Sequence, residues 1–113
     1  MPRNLILTRD CSGIHTRIEC EIRPLAGDRG LWTLICAAGM NDAQPTTIKA
    51  QGPFHGPCVA EGLLLAITRS LALQGYAQTE GPAIWRLHIQ AELRRLNSER
   101  CCHPGDFQFR PES

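Results

Sequence analysis

Residues 56–75 read GPCVAEGLLLAITRSLALQG, and they predict a long helix around which the rest of the chain is organised. Pro57 suits the first helical position, where its missing N–H removes no hydrogen bond. Gly75 suits the left-handed residue just past the end of a helix. Leu and Ala, which are strong helix formers, fill most of the segment. One broad apolar arc of this helix should cover the core, and it consists of Val59, Ala60, Leu63, Leu64, Ala66, Ile67, Leu71 and Leu73.

Three segments with the character of strands precede the helix. Residues 14–23 alternate in the way expected of a half-buried strand. Residues 31–40 are almost continuously apolar, as in a central strand or one covered on both faces. Residues 46–51 form a weaker, more polar strand that Gly52 and Pro53 close. Short loops join the three segments, so they predict an antiparallel meander. In residues 14–23 one face holds Ile14, Thr16, Ile18, Cys20 and Ile22, and the other holds His15, Arg17, Glu19, Glu21 and Arg23.

Residues 83–100 fit two structures. The apolar residues from Ile84 to Leu93 alternate well enough for a strand. Pro82, however, offers a helix start, and the eighteen residues after it contain no Gly or Pro, which is long for a strand. We therefore favour a helix, and a strand that turns into a short helix is the alternative.

These segments predict an α+β fold in a single domain that covers residues 1–113. It is an antiparallel meander of three strands followed by a core helix and a second, C-terminal helix (βββαα, with βββαβ as the alternative). Residues 5–7 or 107–109 would add a short edge strand as the fourth. We expect both helices to cover one face of the sheet. The core should contain Trp32, Ile35, Leu63, Ile67, Leu71, Trp85 and Ile89.

Composition and charge narrow the classes of function. The formal net charge of +1 gives no overall attraction to nucleic acid or to an acidic membrane. The first residues do not resemble a signal peptide, and no apolar stretch approaches the ~20 residues that cross a bilayer. We therefore expect a cytoplasmic protein whose six Cys are reduced. Eleven Arg against one Lys, Lys49, are typical of a GC-rich bacterial genome.

One hypothesis for an enzyme rests on Cys58, which lies in the first turn of the predicted helix, and on His55 three residues before it. A thiol near a helix N-terminus and an imidazolium is activated as a nucleophile. By contrast, Cys101, Cys102 and His103 do not suggest a zinc site. Their side chains are adjacent and point apart, whereas paired zinc ligands are usually spaced two to four residues apart. We expect neither a metal nor a cofactor.

A second hypothesis for an enzyme rests on a resemblance. A three-stranded meander followed by a helix that opens VAEGLLLAI resembles the first half of the ribonuclease H fold, over residues 14–75. The resemblance implies a metal-binding carboxylate on the first helix, which would be Glu61. That family also carries an Asp on its first strand and another at the end of its fourth, where this chain offers only Glu19, Glu21 and Glu92. Without those Asp residues, two-metal chemistry lacks its ligand set.

Basic residues in the second helix suggest a nucleic-acid-binding domain as another alternative. A helix over residues 83–100 would carry a local cluster close to Trp85, and such a surface can contact phosphates. The cluster consists of Arg86, Arg94, Arg95 and Arg100.

Leu65 lies on the outer side of the central helix, with Glu61 and Arg69 four residues to either side. A large apolar residue in this position can mark the interface of a symmetric dimer. We therefore predict a homodimer, with Leu65, Glu61 and Arg69 as the interface candidates. The function that the sequence favours is a small binding or interaction module, which acts through a protein partner or through self-association, rather than an enzyme.

Overall fold

The computed structural model of the chain describes residues 3–27 and 29–102, with side chains as far as residue 99. Within these residues the chain forms five strands and two helices: β1 Asn4–Cys11, β2 Ile14–Pro24, β3 Leu31–Met40, β4 Pro45–His55, α1 Pro57–Leu73, β5 Ala77–Gln78 and α2 Arg86–Cys102. The α+β class is thus confirmed, and so is the helix favoured for residues 83–100, although it begins at Arg86 rather than directly after Pro82. The final strand predicted at residues 107–109 lies outside the described residues.

The strands form one antiparallel sheet in the order β4-β3-β2-β1-β5. The first four are a meander, because each pairs with the strand that follows it. β5 returns after α1 and pairs with β1, where Gln78 lies opposite Leu7 and Ala77 lies opposite Thr8. The order is therefore ββββαβα rather than βββαα or βββαβ. The strand predicted for residues 5–7 is longer and lies inside the sheet, because β5 covers part of its outer edge.

β4 continues past the point where it was predicted to end. Gly52 and Pro53 lie within the strand, joined by a cis peptide bond. Gly52 has a φ of 124°, a conformation open to glycine. The pairing of β3 with β4 shifts register between Trp32 and Leu34, next to these residues. An irregularity in the ladder therefore accommodates the two residues that normally end a strand.

α1 covers one face of the sheet with a narrower stripe than predicted. Ala60 and Leu64 are fully buried, and Leu63 and Ile67 pack beside them against Leu34 and other residues of the first core cluster. Leu71, on the same stripe, is half-buried. Three members of the predicted arc are exposed instead, because they lie beside this stripe: Val59 at 55%, Leu73 at 92%, and Ala66.

α2 covers the opposite face of the sheet, which corrects the expectation that both helices share one face. Trp85 and Ile89 are fully buried, and they form a second core cluster with Ile35 and Ala37 of β3. The physical reason is that β3 is apolar on both faces, since Leu34 packs towards α1 and its neighbour Ile35 towards α2. A layer of sheet therefore lies between two layers of helix.

Of the residues predicted to be in the core, some are fully buried and some are half-buried. Ile35, Trp85 and Ile89 are at most 1% exposed, and they belong to the α2 side. Trp32, Leu63 and Ile67 are half-buried and pack against the cluster on the α1 side. Burial of a large apolar side chain stabilises the fold by about 1.5–3 kcal/mol, so both faces of the sheet contribute to the stability.

Candidate functional site

α2 packs over β3 and β4 and leaves the β1–β2 half of its face of the sheet to polar residues. The alternation predicted for β2 is confirmed, because Ile18, Cys20 and Ile22 pack on the α1 side. In the register of the two strands, Asn4 lies opposite Glu21, Ile6 opposite Glu19, Thr8 opposite Arg17 and Asp10 opposite His15. We call this surface the polar face; it consists of Asn4, Ile6, Thr8, Asp10, His15, Arg17, Glu19, Glu21 and Arg23.

Residues 79–85, here called the crossing segment, run from β5 over the polar face to the start of α2. Two charged residues of β2 hold this segment. Arg17 Nη2 donates to the carbonyl oxygen of Pro82 at 2.9 Å. The Glu19 carboxylate accepts the backbone N–H of Ile84 at 2.8 Å and that of Trp85 at 3.2 Å. Because Trp85 immediately precedes α2, Glu19 caps the start of that helix and its negative charge suits the helix dipole.

The charges under the crossing segment are buried, which the alternation of β2 did not predict. Glu19 is 2% exposed, and Arg17 and Glu21 are each 9% exposed. Arg17 Nε donates to Glu19 Oε2 at 2.7 Å, and Arg23 Nη1 donates to Glu21 Oε1 at 3.2 Å. Each buried carboxylate therefore has a guanidinium partner, as buried charges require.

The crossing segment separates two cavities on the polar face. The first, which we call the Arg86 cavity, has a volume of about 450 Å³ and lies between Asn4, Glu21 and the first residue of α2. The second, the His15 cavity, has a volume of about 370 Å³ and lies towards Asp10 and Asn41. Both volumes are in the range that small-molecule sites occupy.

In the His15 cavity the polar groups bind one another. His15 Nδ1 lies 3.6 Å from Asp10 Oδ1, and both side chains are more than half exposed. Arg17 Nη1 donates to Asn41 Oδ1 at 3.2 Å. In the Arg86 cavity, by contrast, the side chains of Glu80 and Arg86 form no hydrogen bond or ion pair with any described residue.

Among the described residues, the side chains of the two enzyme hypotheses are not bonded to one another. Cys58 and His55 are both exposed, and neither side chain takes part in a hydrogen bond within the described part of the chain. Glu61 accepts from Arg3 Nε at 3.4 Å on the α1 side of the sheet. Glu19 and Glu21 lie on the other side of the sheet, because they alternate with the residues that face α1.

The remaining carboxylate of the ribonuclease H resemblance, Glu92, lies on α2 and pairs with Arg95. Within residues 3–27 and 29–99, no group of three or more His, Cys, Asp or Glu side chains could hold a metal ion. Cys101, Cys102 and His103 lie outside the described side chains. The sheet therefore separates Glu61 from the other carboxylates of this hypothesis, and four strands rather than three precede α1.

The Arg residues proposed for nucleic acid are spread along α2. Arg86, Arg94 and Arg95 are exposed, and Arg86 lies about 12 Å along the helix axis from Arg94. Glu92 and Glu99 flank Arg95, and the Glu92 carboxylate, which bonds it most strongly, raises the pKa of Arg95. The charge of Arg95 is therefore balanced locally. The side chain of Arg100, the fourth member of the predicted cluster, is outside the description.

Two of the interface candidates, Leu65 and Arg69, lie on the exposed side of α1, whereas Glu61 is half-buried and bonds Arg3. Leu65 is 39% exposed, and Arg69 is exposed and has no partner among the described residues. Glu61 and Arg69 are the only charged residues of this helix. We call the exposed surface the α1 outer face; it consists of Cys58, Val59, Gly62, Leu65, Ala66, Arg69, Ser70, Ala72 and Leu73.

The structure also brings together two thiols that the sequence did not single out. Cys20 on β2 lies directly opposite Cys36 on β3, and both pack on the α1 side. Two causes raise the pKa of the Cys20 thiol: a hydrogen bond with Cys36 is the larger, and burial is the next. Both are free thiols, as are Cys11 and Cys58. The strand register needed to find this pair depends on the loop between β2 and β3, which the sequence pattern leaves open.

An antiparallel sheet with one helix on each face, and with open cavities on its polar half, defines a small α+β protein with a candidate binding site. The chain belongs to the PA4575-like protein family, whose model matches residues 1–113. No curated protein and no solved structure matches the chain. Neither described helix is long and apolar enough to cross a membrane.

Proposed function

We propose that this chain is a cytoplasmic interaction module that acts as a homodimer, with α1 of one copy packed against α1 of a second copy. The observation that supports the proposal is the composition of the α1 outer face. Val59, Leu65 and Leu73 are 55%, 39% and 92% exposed. Of the nine residues that form the face, only Arg69 is charged and only Ser70 is polar and uncharged. A helix that faces only water normally carries a polar or charged outer side.

The charges of α1 favour a second copy as the occupant of this face. Glu61, Leu65 and Arg69 are spaced four residues apart and therefore lie one above another along the helix. In an antiparallel pair of helices with a two-fold axis at Leu65, Glu61 of each copy lies opposite Arg69 of the other, in addition to its bond with Arg3 of its own chain at 3.4 Å. Gly62 and Ala66 lie beside Leu65 and leave room for the two helices to approach closely.

The outer edge of β4 is the competing surface for self-association, since it offers the unpaired backbone groups of an eleven-residue strand. Pro45, Lys49 and Pro53 lie on this strand. Edge strands of natural proteins carry Pro and Lys at positions that discourage pairing with another chain. The α1 outer face has no comparable device, so we assign the interface to α1.

The test is Leu65→Glu, which would place two unpaired negative charges at the centre of the interface. We expect the wild type to be a dimer in sedimentation and light scattering, and the variant to be a monomer with an unchanged circular dichroism spectrum. Leu87→Glu is the matched control, because Leu87 is 77% exposed on α2. That variant should remain dimeric.

A charge exchange tests the two-fold arrangement itself. Arg69→Glu alone should weaken the dimer, because it places two carboxylates opposite each other, and the double variant Glu61→Arg with Arg69→Glu should restore it. A wild-type protein that stays monomeric over a wide concentration range would refute the proposal. A dimer that survives Leu65→Glu would move the interface to the β4 edge.

A further inference from the structure

The Arg86 cavity combines features that point to a ligand. It is bounded by the ends of β1 and β2, by the crossing segment and by the first residue of α2, and its volume is about 450 Å³. Ile6 and Ala83 contribute apolar surface, while the amides of Asn4 and Gln78 lie on its wall. A cavity with some apolar surface and a few polar groups that converge on it is typical of a small-molecule site.

Three charged groups that line this cavity are open to it. Glu21 is only 9% exposed, and its Oε1 accepts a hydrogen bond from Arg23 while its Oε2 accepts none from the described residues. Glu80 and Arg86 have no side-chain partner within the same part of the chain. Two carboxylates and one guanidinium therefore line one space without being bonded to each other.

The overall charge around the cavity is balanced. Three carboxylates line it, those of Glu19, Glu21 and Glu80, together with the guanidinium of Arg86. Arg17 and Arg23 add two more positive charges, because they pair with Glu19 and Glu21. Three negative and three positive groups sum to zero, so the site favours neither a simple cation nor a simple anion. Separated charges of both signs favour a ligand that also carries both.

We infer that the Arg86 cavity binds a small zwitterion of the free α-amino acid class. The ligand carboxylate pairs with Arg86, whose planar guanidinium can bind two carboxylate oxygens at once. The ligand ammonium group, which has three donors, binds Glu21 Oε2 and the Glu80 carboxylate. A short aliphatic side chain of the ligand contacts Ile6 and Ala83. This inference is independent of the dimer, because the α1 outer face lies on the other side of the sheet.

The experiment is a titration of the full chain with L-alanine and with L-leucine, in which the backbone amide chemical shifts are measured by NMR. We expect saturable shifts at Ile6, at Gln78 and in the crossing segment, with little change in α1. N-acetyl-L-alanine lacks the ammonium group and L-alaninamide lacks the carboxylate, so each should bind at least about 10-fold more weakly than L-alanine, which is the effect of losing one charged hydrogen-bonding partner.

Variants separate the two ends of the ligand. Arg86→Gln should weaken the binding of L-alanine by about 10-fold or more and leave the weak affinity for L-alaninamide unchanged. Glu80→Gln should also weaken the binding of L-alanine, and it should leave the weak affinity for N-acetyl-L-alanine unchanged. Arg94→Gln is the matched control on the same helix, and it should leave binding unaltered. Arg86 and Glu80 are exposed, so both variants should fold like the wild type.

Two results would overturn the inference. One is the absence of saturable shifts with either amino acid up to about 10 mM, a concentration at which a ligand with a Kd of about 1 mM would occupy roughly nine tenths of the sites. The other is equal binding of L-alanine, L-alaninamide and N-acetyl-L-alanine, because such a result would show that the two charges of the ligand are not recognised.

Discussion

Glu19→Ala removes the acceptor of three hydrogen bonds at the centre of the polar face. The carboxylate accepts from Arg17 Nε and from the backbone N–H groups of Ile84 and Trp85. Glu19 is 2% exposed and Arg17 is 9% exposed, so water has little access to the groups that lose their partner. The substitution therefore leaves a buried guanidinium without its closest carboxylate and leaves the start of α2 without its cap.

The expected loss of stability is large. Removal of one partner from a buried ion pair costs about 3–5 kcal/mol, because the other charge remains buried. The free energy of unfolding of a domain is about 5–15 kcal/mol, so this change removes a large fraction of it. With a slope of about 2 kcal/mol per M of urea, a loss of about 4 kcal/mol moves the urea midpoint by about 2 M.

Urea unfolding followed by tryptophan fluorescence measures this shift, since Trp85 is fully buried next to Glu19. Glu99→Gln is the control, because Glu99 has an exposed side chain on α2, and its effect should stay within about 0.5 kcal/mol. The double variant Arg17→Met with Glu19→Leu removes both buried charges and should be more stable than Glu19→Ala.

A loss below about 1 kcal/mol for Glu19→Ala would refute the reasoning, since that is the effect of an ordinary substitution. A double variant less stable than Glu19→Ala would also contradict it. That outcome would show that the bonds of Arg17 to Pro82 and Asn41 contribute more than its pairing with Glu19.

Two further predictions concern the thiols and the basic residues. In native protein at neutral pH, Cys11 and Cys58 should react quickly with a maleimide. Cys20 should react only after unfolding, because it is fully buried and its pKa is raised. Mass spectrometry of labelled peptides measures the order of labelling, and fast labelling of Cys20 would contradict the prediction. The double variant Arg94→Ala with Arg95→Ala should be retained on single- or double-stranded DNA columns at low salt as the wild type is, because the charge of Arg95 is already balanced by two carboxylates. A loss of retention together with a smaller salt dependence would restore the nucleic-acid hypothesis.

The sequence predicts most of this fold because its strongest patterns are local. Pro57 and Gly75 mark the two sides of α1, which ends at Leu73. Strict alternation defines β2, and the bounds predicted for β3 agree with the structure. The position of α2 was missed, although the apolar run of β3 indicated coverage on both faces. A meander of three strands has room for two helices on one face, and only the burial of Ile35 beside Leu34 decides between the arrangements.

The candidate site was harder to predict because it depends on contacts between distant parts of the chain. Glu19 and Trp85 are separated by 66 positions, and the sequence around either residue does not predict their hydrogen bond. Alternation places Glu19 and Glu21 on a polar face but contains no information on whether a later segment covers that face. The two-residue strand β5 decides this, and it is too short to leave a pattern in the sequence.

The buried charges at the centre of the sheet hold the crossing segment. An apolar pair at these positions would often be neutral or more stabilising, but it would not satisfy the backbone N–H groups of Ile84 and Trp85. Arg17 and Glu19 fix both the carbonyl side and the N–H side of the segment. Glu80 lies in this segment and Arg86 follows it directly, and both line the Arg86 cavity. The contacts that hold this segment on the sheet therefore also support the two side chains to which we assign ligand binding. Glu19→Ala should accordingly weaken amino acid binding even in the fraction of molecules that remains folded.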